Sequence, residues 1–442
     1  MKILLITAPV VSKTLRPVGL AYISSFIKSR RDYTVKTINL SNEIYVENDQ
    51  EVSFWCKQEN FQQLFSENKE LFNEWVDRIF EYDPDIIGFS VWNSARLASI
   101  RLADMIKDRD PGRLIVFGGY DCSLFGDDYI KESPVDIVVK GEGEETFLEI
   151  CDIYASSKTV KFCKGAIIKN GSEITDCGPR PAIEELDTIP FPDYSDYKNL
   201  NGRIPLCFNR GCVYRCSYCH IREHVKNYRH RSAENIFREI IFRLENTPGI
   251  ELFDIGDSNA LQSPAVCSGL CDMIIAAGLK ISIEIWSAIN PGIDYELLKK
   301  MNSAGFTNIG YGIELGTERL MKSMGKWYTV DDAERLIRDT YRAGIDFSTN
   351  VLIGFPGETE EDFNITLNFL KRNSKYIRMV PQVHEFHIFP RSHISENPEK
   401  YGVDTRDCGD ITGWVNKEAK DRLLRIYDLL KQIGIAGSYA KE

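Results

Sequence analysis

The chain has 442 residues, enough for two or three domains with sizeable cores. Its 43% hydrophobic and 27% charged content is that of a folded globular protein, and its net charge of −11 argues against DNA or RNA as the main partner, because phosphate binding needs a basic surface. MKILLITAP at the N-terminus reads as a buried strand, not a secretory leader, and no apolar run approaches the about 20 residues of a membrane span. The expectation is therefore a cytoplasmic protein with no membrane or nucleic-acid partner, whose twelve cysteines are reduced or metal-bound.

Residues 1–155 alternate apolar runs with helical patterns. KILLITAP, YTVKTINL, DIIGFSV, RLIVFGG and DIVVKGEG read as strands, which predicts an α/β domain with a doubly wound parallel sheet. Each strand ends in Gly, Ser, Pro or Thr, so the carboxyl edge is built of small residues. The insertion at 44–82 reads as helical. Residues 156–203 are rich in Pro, Asp and Tyr and read as an inter-domain strap. Over 204–390 the alternation returns as six units, with strands IPLCFN, IELFDIG, KISIEIWSA, FTNIGYGIE, IDFSTNVLIGF and VHEFHIF. Six β/α units make a partial (β/α)6 barrel, whose chemistry sits at the carboxyl ends of its strands. Residues 391–442 form a C-terminal extension ending in a helix.

The first barrel strand runs directly into GCVYRCSYCH, which carries Cys212, Cys216 and Cys219. Four thiolates close a zinc or cubane site, whereas three leave one metal position open for a non-protein ligand. The competing reading is a structural zinc loop, with His220 or His224 as fourth ligand and no catalysis. Cys56, Cys122, Cys151, Cys163, Cys177, Cys267, Cys271 and Cys408 are isolated and read as small buried hydrophobes. No second cluster of cysteines is present, so one metal centre is expected.

C-x3-C-x2-C with Tyr218 before the last cysteine, followed by six β/α units, resembles the radical S-adenosylmethionine (SAM) superfamily. The resemblance implies a 4Fe–4S cluster on Cys212, Cys216 and Cys219 that binds SAM at its open iron. It implies reductive cleavage of SAM to a 5′-deoxyadenosyl radical, fed by an external one-electron reductant of flavodoxin or ferredoxin type. By the same resemblance DIGDSN brings Gly256 and Asp257 to the cofactor's amino group, although the family's GGE is absent. GIELGTERLMKSMGK brings Glu314 to the ribose region, and VLIGFPGETEEDF brings Ile353 and Gly354 to the adenine.

Strand alternation sends Glu284 and Trp286 into the barrel, then Asn308, Gly310, Gly312 and Glu314, then Ser348 and Asn350, and on the sixth strand Glu385 and His387. A polar interior implies a small polar molecule or a peptide as substrate, with Glu284, Trp286, Asn350, Glu385 and His387 as its contacts. Tyr311, Tyr328, Cys207 and Tyr218 are candidates to quench a substrate radical.

RPVGLAYISSFIK, YDPDIIGFSVW, RLIVFGG and VDIVVKGEGEETFLEI resemble the N-terminal cobalamin-binding domain of one branch of that superfamily. The loops that would hold the corrin ring lie at 7–12, Ser90 to Ser94, Gly118 to Cys122 and Gly141 to Glu144. Thr7, Pro9, Ser90, Val91, Gly118, Gly119, Gly141, Glu142 and Gly143 are the implied contacts. The D-x-H-x-x-G motif is absent, and Tyr120, Asp121 and Phe125 form a bulky loop able to fill that space. The resemblance implies methyl transfer from cobalamin to an unactivated carbon. The rival within the same branch is ring formation or rearrangement, with cobalamin idle or missing.

Overall fold

KILLIT is apolar at every position after Lys2, so the strand it forms, β1 (Lys2–Thr7), is buried on both faces. The computed structural model describes residues 1–9, 17–44, 55–197, 200, 202–220, 225, 227–257, 259–314, 316–404 and 414–437. Positions 10–12, His224 and Cys408, singled out above, lie outside the described residues. The chain divides into two units, 1–200 and 201–442.

In the first unit β1 is followed by α1 (Val18–Lys28), β2 (Thr34–Asn39), α2 (Gln58–Glu67), α3 (Lys69–Tyr82), β3 (Ile86–Ser90) and α4 (Arg96–Arg109). Then come β4 (Leu114–Gly118), α5 (Tyr120–Glu132), β5 (Ile137–Val139), α6 (Glu144–Ser157), β6 (Ala166–Asn170) and β7 (Glu173–Asp176). The sheet runs β2-β1-β3-β4-β5-β6-β7. Its first five strands are parallel, and β6 and β7 continue it antiparallel. One face packs Leu4, Ile6, Ile87, Phe89, Ile115 and Phe117 with Phe72 and Trp75 of α3 and with Leu102 and Ile106 of α4. The insertion thus earns its place by covering one face of the sheet.

In the segment read as a strap, 158–165 is irregular, Ala166–Asn170 and Glu173–Asp176 form a strand hairpin, and the part beyond 176 holds only a short helical turn at Leu186–Thr188. Its remainder is tied down within the first unit. Asp193 accepts from Lys28 Nζ at 2.6 Å and Ser24 Oγ at 3.2 Å, its own amide donates to Ala21 O at 2.9 Å, and Asp196 accepts from the Thr37 amide at 2.8 Å. Six of the isolated cysteines (Cys122, Cys151, Cys163, Cys177, Cys267 and Cys271) are buried as expected, whereas Cys56 is exposed.

The second unit opens with β8 (Arg203–Leu206) and the short pair β9 (Asn209–Arg210) and β10 (Arg229–His230). Next come α7 (Ala233–Asn246), β11 (Leu252–Ile255), α8 (Pro264–Ala276), β12 (Ile283–Ser287), α9 (Tyr295–Ser303), β13 (Phe306–Glu314), α10 (Glu318–Ser323) and α11 (Val330–Arg342). It closes with β14 (Asp346–Ile353), α12 (Glu360–Asn373), β15 (Ile377–Val380), β16 (Val383–Glu385), α13 (His393–Glu396), α14 (Ala419–Ile433) and β17 (Ala436–Gly437). The order is β17-β15-β14-β13-β12-β11-β8, with β16 also on β14. Every neighbouring pair in it is parallel, as a partial barrel requires.

Two features depart from the sequence reading. A strand the sequence reading did not include, β15, precedes the sixth, and VHEFHIF is a strand only over Val383–Glu385. Pro381, which has no amide to donate, separates the two, so β15 pairs the amino half of β14 and β16 its carboxyl half. The C-terminal helix is also part of the barrel unit. Arg422 of α14 is fully buried and donates to Glu358 Oε2 at 2.8 Å, while Glu358 Oε2 accepts the Gly354 amide at 2.7 Å.

Lys28 and two backbone or hydroxyl donors hold the Asp193 carboxyl at about 2, against burial that would raise it. A depressed carboxylate adds stability that is present above its unfolded value near 4 and lost as pH falls toward 2. Asp193→Asn is expected to cost about 1 kcal/mol at neutral pH and nothing near pH 2, measured by unfolding at each pH, with faster proteolysis between 177 and 197.

Candidate active site

The cysteine loop is built on backbone ties. Ser217 N donates to Met324 O at 2.8 Å, Ile394 N to Ser217 O at 3.1 Å and Cys219 N to Cys216 O at 3.1 Å. The turn after α10 approaches so closely that a Cβ on Gly325 would stand 2.9 Å from Arg215 O. Cys212, Cys216 and Cys219 are each half-buried on this one loop. Burial and the neighbouring Cys216 push the Cys212 thiol up, against the pull of the Tyr214 amide, the Asn259 side chain and Lys326. His220 packs edge-on against Phe389 at 4.7 Å, and burial lowers its imidazole to about 4, so it is neutral at neutral pH.

Behind the loop stands a group that the sequence reading missed. Lys326, its side chain 5% exposed, donates to Gly312 O at 2.9 Å, lies 3.6 Å from Glu314 Oε1 and sits 5.7 Å from the Tyr218 ring centre. Tyr218 OH donates to the same Glu314 oxygen at 3.3 Å, and Tyr328 OH donates to Gly312 O at 3.0 Å. Burial opposes the charge on Lys326, but Tyr218, Tyr328, Glu314 and Cys216 around it outweigh burial and hold it cationic. Glu314 takes a left-handed backbone, φ 71°, where the β13–β14 register shifts. For a non-glycine residue that conformation costs on the order of 1 kcal/mol and marks a constrained site. Thus Glu314 and Tyr218 do meet beside the cysteines.

Other positions are placed differently from the sequence reading. Asp257 does not project into open space: it accepts from the amides of Phe208 at 2.6 Å and Asn209 at 3.0 Å, and so fixes the root of the cysteine loop. Burial drives its carboxyl up to about 7 despite those donors. Gly256 is exposed, with open space where a side chain would stand. Gly354 has φ +77°, and a Cβ there would lie 3.0 Å from Ala419 and Asn416. Its glycine is therefore required by the C-terminal helix, and Ile353 is fully buried.

The barrel interior is layered. At the amino side Glu284 pairs with Arg203 at 3.1 Å and Asp254 lies 3.6 Å from the same guanidinium, so Glu284 is already engaged. Above it Trp286 lies against Gly310, where a Cβ would come within 2.5 Å of the indole, and Ser348 donates to Asn308 at 2.9 Å. Asn350 keeps a buried carbonyl oxygen without a hydrogen-bond partner among the described residues. On the sixth strand the expected phase is wrong. Leu352 pairs with His384 and Ile353 with Glu385, so His384 shares the face of Asn350 while Glu385 turns toward the helices. His387 is exposed beyond the end of β16. Phe386 and Ile388 fill the interior side with Phe355, against Tyr218 and Trp414. Tyr311 bonds Thr340 and packs on Phe347 in the helix-facing layer, away from the interior.

In the first unit the carboxyl edge contains an open part and a filled part. Gly141 has open space at its α-carbon, and Gly118 touches only Val139. Thr7 is 1% exposed and its hydroxyl has no partner among the described residues. Pro9 is buried, and Ser90 and Gly143 are half-buried. Gly119, φ +98°, is dictated by packing instead of by a ligand, since a Cβ would stand 3.0 Å from Val91 N. Val91 is a core residue, and Glu142 accepts from the Ile183 amide at 3.3 Å. Of the bulky residues, Asp121 is turned inward to Tyr129 and Phe125 packs on the core, while Tyr120 stacks on half-exposed Trp92 at 6.3 Å. The bulky loop therefore folds back into the domain.

Three half-buried cysteines on one loop, in C-x3-C-x2-C spacing after the first strand of a partial barrel, are the pattern of a radical SAM site. Comparison with known proteins agrees: residues 206–370 match the Radical SAM superfamily and residues 5–151 match the B12 binding domain. The chain thus carries a radical SAM domain together with a B12-binding domain. It is 27% identical over 389 residues to an uncharacterized methyltransferase of Pyrococcus horikoshii, covering 84% of this chain and 78% of that protein. It is 29% identical over 280 residues to an anaerobic magnesium-protoporphyrin IX monomethyl ester cyclase of Synechocystis sp., covering 60% of this chain and 56% of the cyclase. Among solved structures it is similar to the radical SAM methyltransferase TsrM from Kitasatospora setae with cobalamin and cluster bound, at TM-score 0.71 and 18% identity, covering 90% of this chain and 75% of that one. That last likeness is one of fold. Among the described residues no helix is long and apolar enough to cross a membrane.

The residues fit both groups: three half-buried thiols beside a buried cation for an anionic cluster, and, at an open glycine edge for a corrin, a buried hydroxyl without a partner among the described residues. A buried hydroxyl without a partner costs about 1 kcal/mol or more, so its loss should not hurt the fold. Thr7→Val is expected to leave unfolding stability unchanged or raised, and to weaken cobalamin binding several-fold by absorbance titration. Destabilisation with normal cobalamin affinity would make Thr7 merely structural.

Proposed function

We propose that this chain is a cobalamin-dependent radical SAM methyltransferase acting on an unactivated carbon of a polar small molecule or peptide. The observation that carries this reading is the union, in one chain, of a B12-binding domain with a three-cysteine loop backed by Lys326, Glu314 and Tyr218. When bound, the cluster supplies the electron that cleaves SAM to a carbon radical, and cobalamin supplies the methyl group.

The protein's own residues do the holding and the shielding. Cys212, Cys216 and Cys219 ligate the cluster. Glu314, fixed by Lys326 and Tyr218, receives the ribose hydroxyls, and the open edge at Gly256 admits the amino-acid end of SAM. Ile353 and Gly354 keep the strand end beside the adenine in shape through Glu358 and Arg422. Asn350, Trp286 and His384 face the interior and are the substrate contacts. Phe355, Phe386, Ile388 and Trp414 form an apolar wall against Tyr218, which keeps water and stray hydrogen donors from a reactive carbon. Electrons come from a flavodoxin- or ferredoxin-type protein in the cytoplasm.

The cyclase relatives support a second reading, ring formation without methyl transfer. The chain spans about half the length of those curated cyclases, 50% to 56%. One experiment separates the two. Protein purified anaerobically from cobalamin-fed cells is expected to hold about four irons per chain with equimolar cobalt, and to transfer label from methyl-labelled SAM to its corrin. Iron and cobalt without labelled corrin would favour the cyclase reading. Zinc without iron would overturn both.

A further inference from the structure

The turn that buries Lys326 also builds a surface. Trp327, the next residue, is 73% exposed, and Val213 in the cysteine loop is 43% exposed. Tyr214 joins them, its ring edge-on to Trp327 at 6.4 Å and its hydroxyl donating to Ile289 O at 3.2 Å. Two exposed cations stand on the same two segments. Arg215 lies between Cys212 and Cys216, and the turn carrying Lys322 closes through Gly325 N to Lys322 O at 3.1 Å, with Gly325 pressed on the Arg215 carbonyl. Neither cation has an ion-pair partner among the described residues. Glu318, the acid of that helix, is engaged by the Val330 amide at 2.6 Å.

In a chain of net charge −11, an aromatic patch beside two cations unpaired among the described residues is a local reversal of sign. Exposed Trp and Tyr beside Arg are the composition of a protein-binding centre. The peptide bearing the patch is the one bearing Cys216, so a bound protein would stand within a few bonds of the metal centre.

We infer that Val213, Tyr214 and Trp327, with Arg215 and Lys322, form the docking surface for the one-electron carrier protein, one with acidic side chains around its exposed cofactor. This rests on the cluster assigned above. The reduced carrier gives one electron to the oxidised cluster and is itself oxidised by one electron; no proton or group moves. Such encounters are small and electrostatically steered, so they depend on salt.

The test is the second-order rate at which fully reduced flavodoxin bleaches the cluster, followed by anaerobic stopped flow. An Arg215→Glu/Lys322→Glu double variant and a Trp327→Ser variant are compared with the parent chain, and dithionite, which needs no docking, is the control reductant. The expected result is about a tenfold loss of the flavodoxin rate in the double variant, with the gap closing at high salt, and less than twofold change with dithionite. An unchanged flavodoxin rate would overturn the inference, as would an equal loss with dithionite, which would locate the effect in the cluster itself. A protein that holds no iron, or leaves SAM intact under dithionite, would instead overturn the proposed reaction, and the control shows this before any carrier is added.

Discussion

The ammonium of Lys326 is the constraint around which the second unit's site is arranged. Removing a charge from water costs several kcal/mol unless partners replace the solvent. Here the replacements are the Gly312 carbonyl, the Glu314 carboxylate and the electron-rich ring of Tyr218. Each of them has a second duty. Glu314 holds a strained backbone at the strand end, and Tyr218 sits between two of the cysteines in sequence while donating to that same carboxylate. Two costly features, a buried cation and a left-handed glutamate, meeting beside three thiols indicate a place shaped by function more than by stability.

The same logic extends outward through the frame. Asp257 spends its carboxylate on the amides of Phe208 and Asn209, where the chain leaves β8 for the cysteine loop. Asn259 does the like for the next strand, accepting from Ser287 Oγ at 2.6 Å and the Ala288 amide at 3.1 Å. Arg422 closes the far side by reaching from the C-terminal helix to Glu358. Buried polar groups at the carboxyl edge thus fix strand ends, and the surfaces left open for ligands are those with glycine or with unpaired oxygens.

Much of this was legible in the sequence because strands buried on both faces are written as continuous apolar runs, and KILLIT, IIGFS and LIVFG cannot be mistaken. The spacing of three cysteines after a strand carries its chemistry openly. What escaped did so for physical reasons. The hairpin β6–β7 is short and half polar, although Asn170–Gly171 is a turn signal in plain view. The phase of β16 escaped because HEFHIF mixes polar and apolar residues without saying which alternate set faces the interior, and only its pairing with β14 decides that. Asp257 looks like a ligand because an acid at a strand end does, and only coordinates show its oxygens committed to backbone amides. Lys326 looks like any loop lysine until the fold buries it.

The measurement that bears most directly on this arrangement is the reduction potential of the cluster in Lys326→Met against the unaltered protein, by anaerobic titration monitored with electron paramagnetic resonance. Reduction adds negative charge beside a buried cation, so removing the cation should lower the potential, by about 60 mV or more, with iron content unchanged. A potential that does not move, in a variant that still binds its iron, would contradict the claim that Lys326 is the charge on which the site is built.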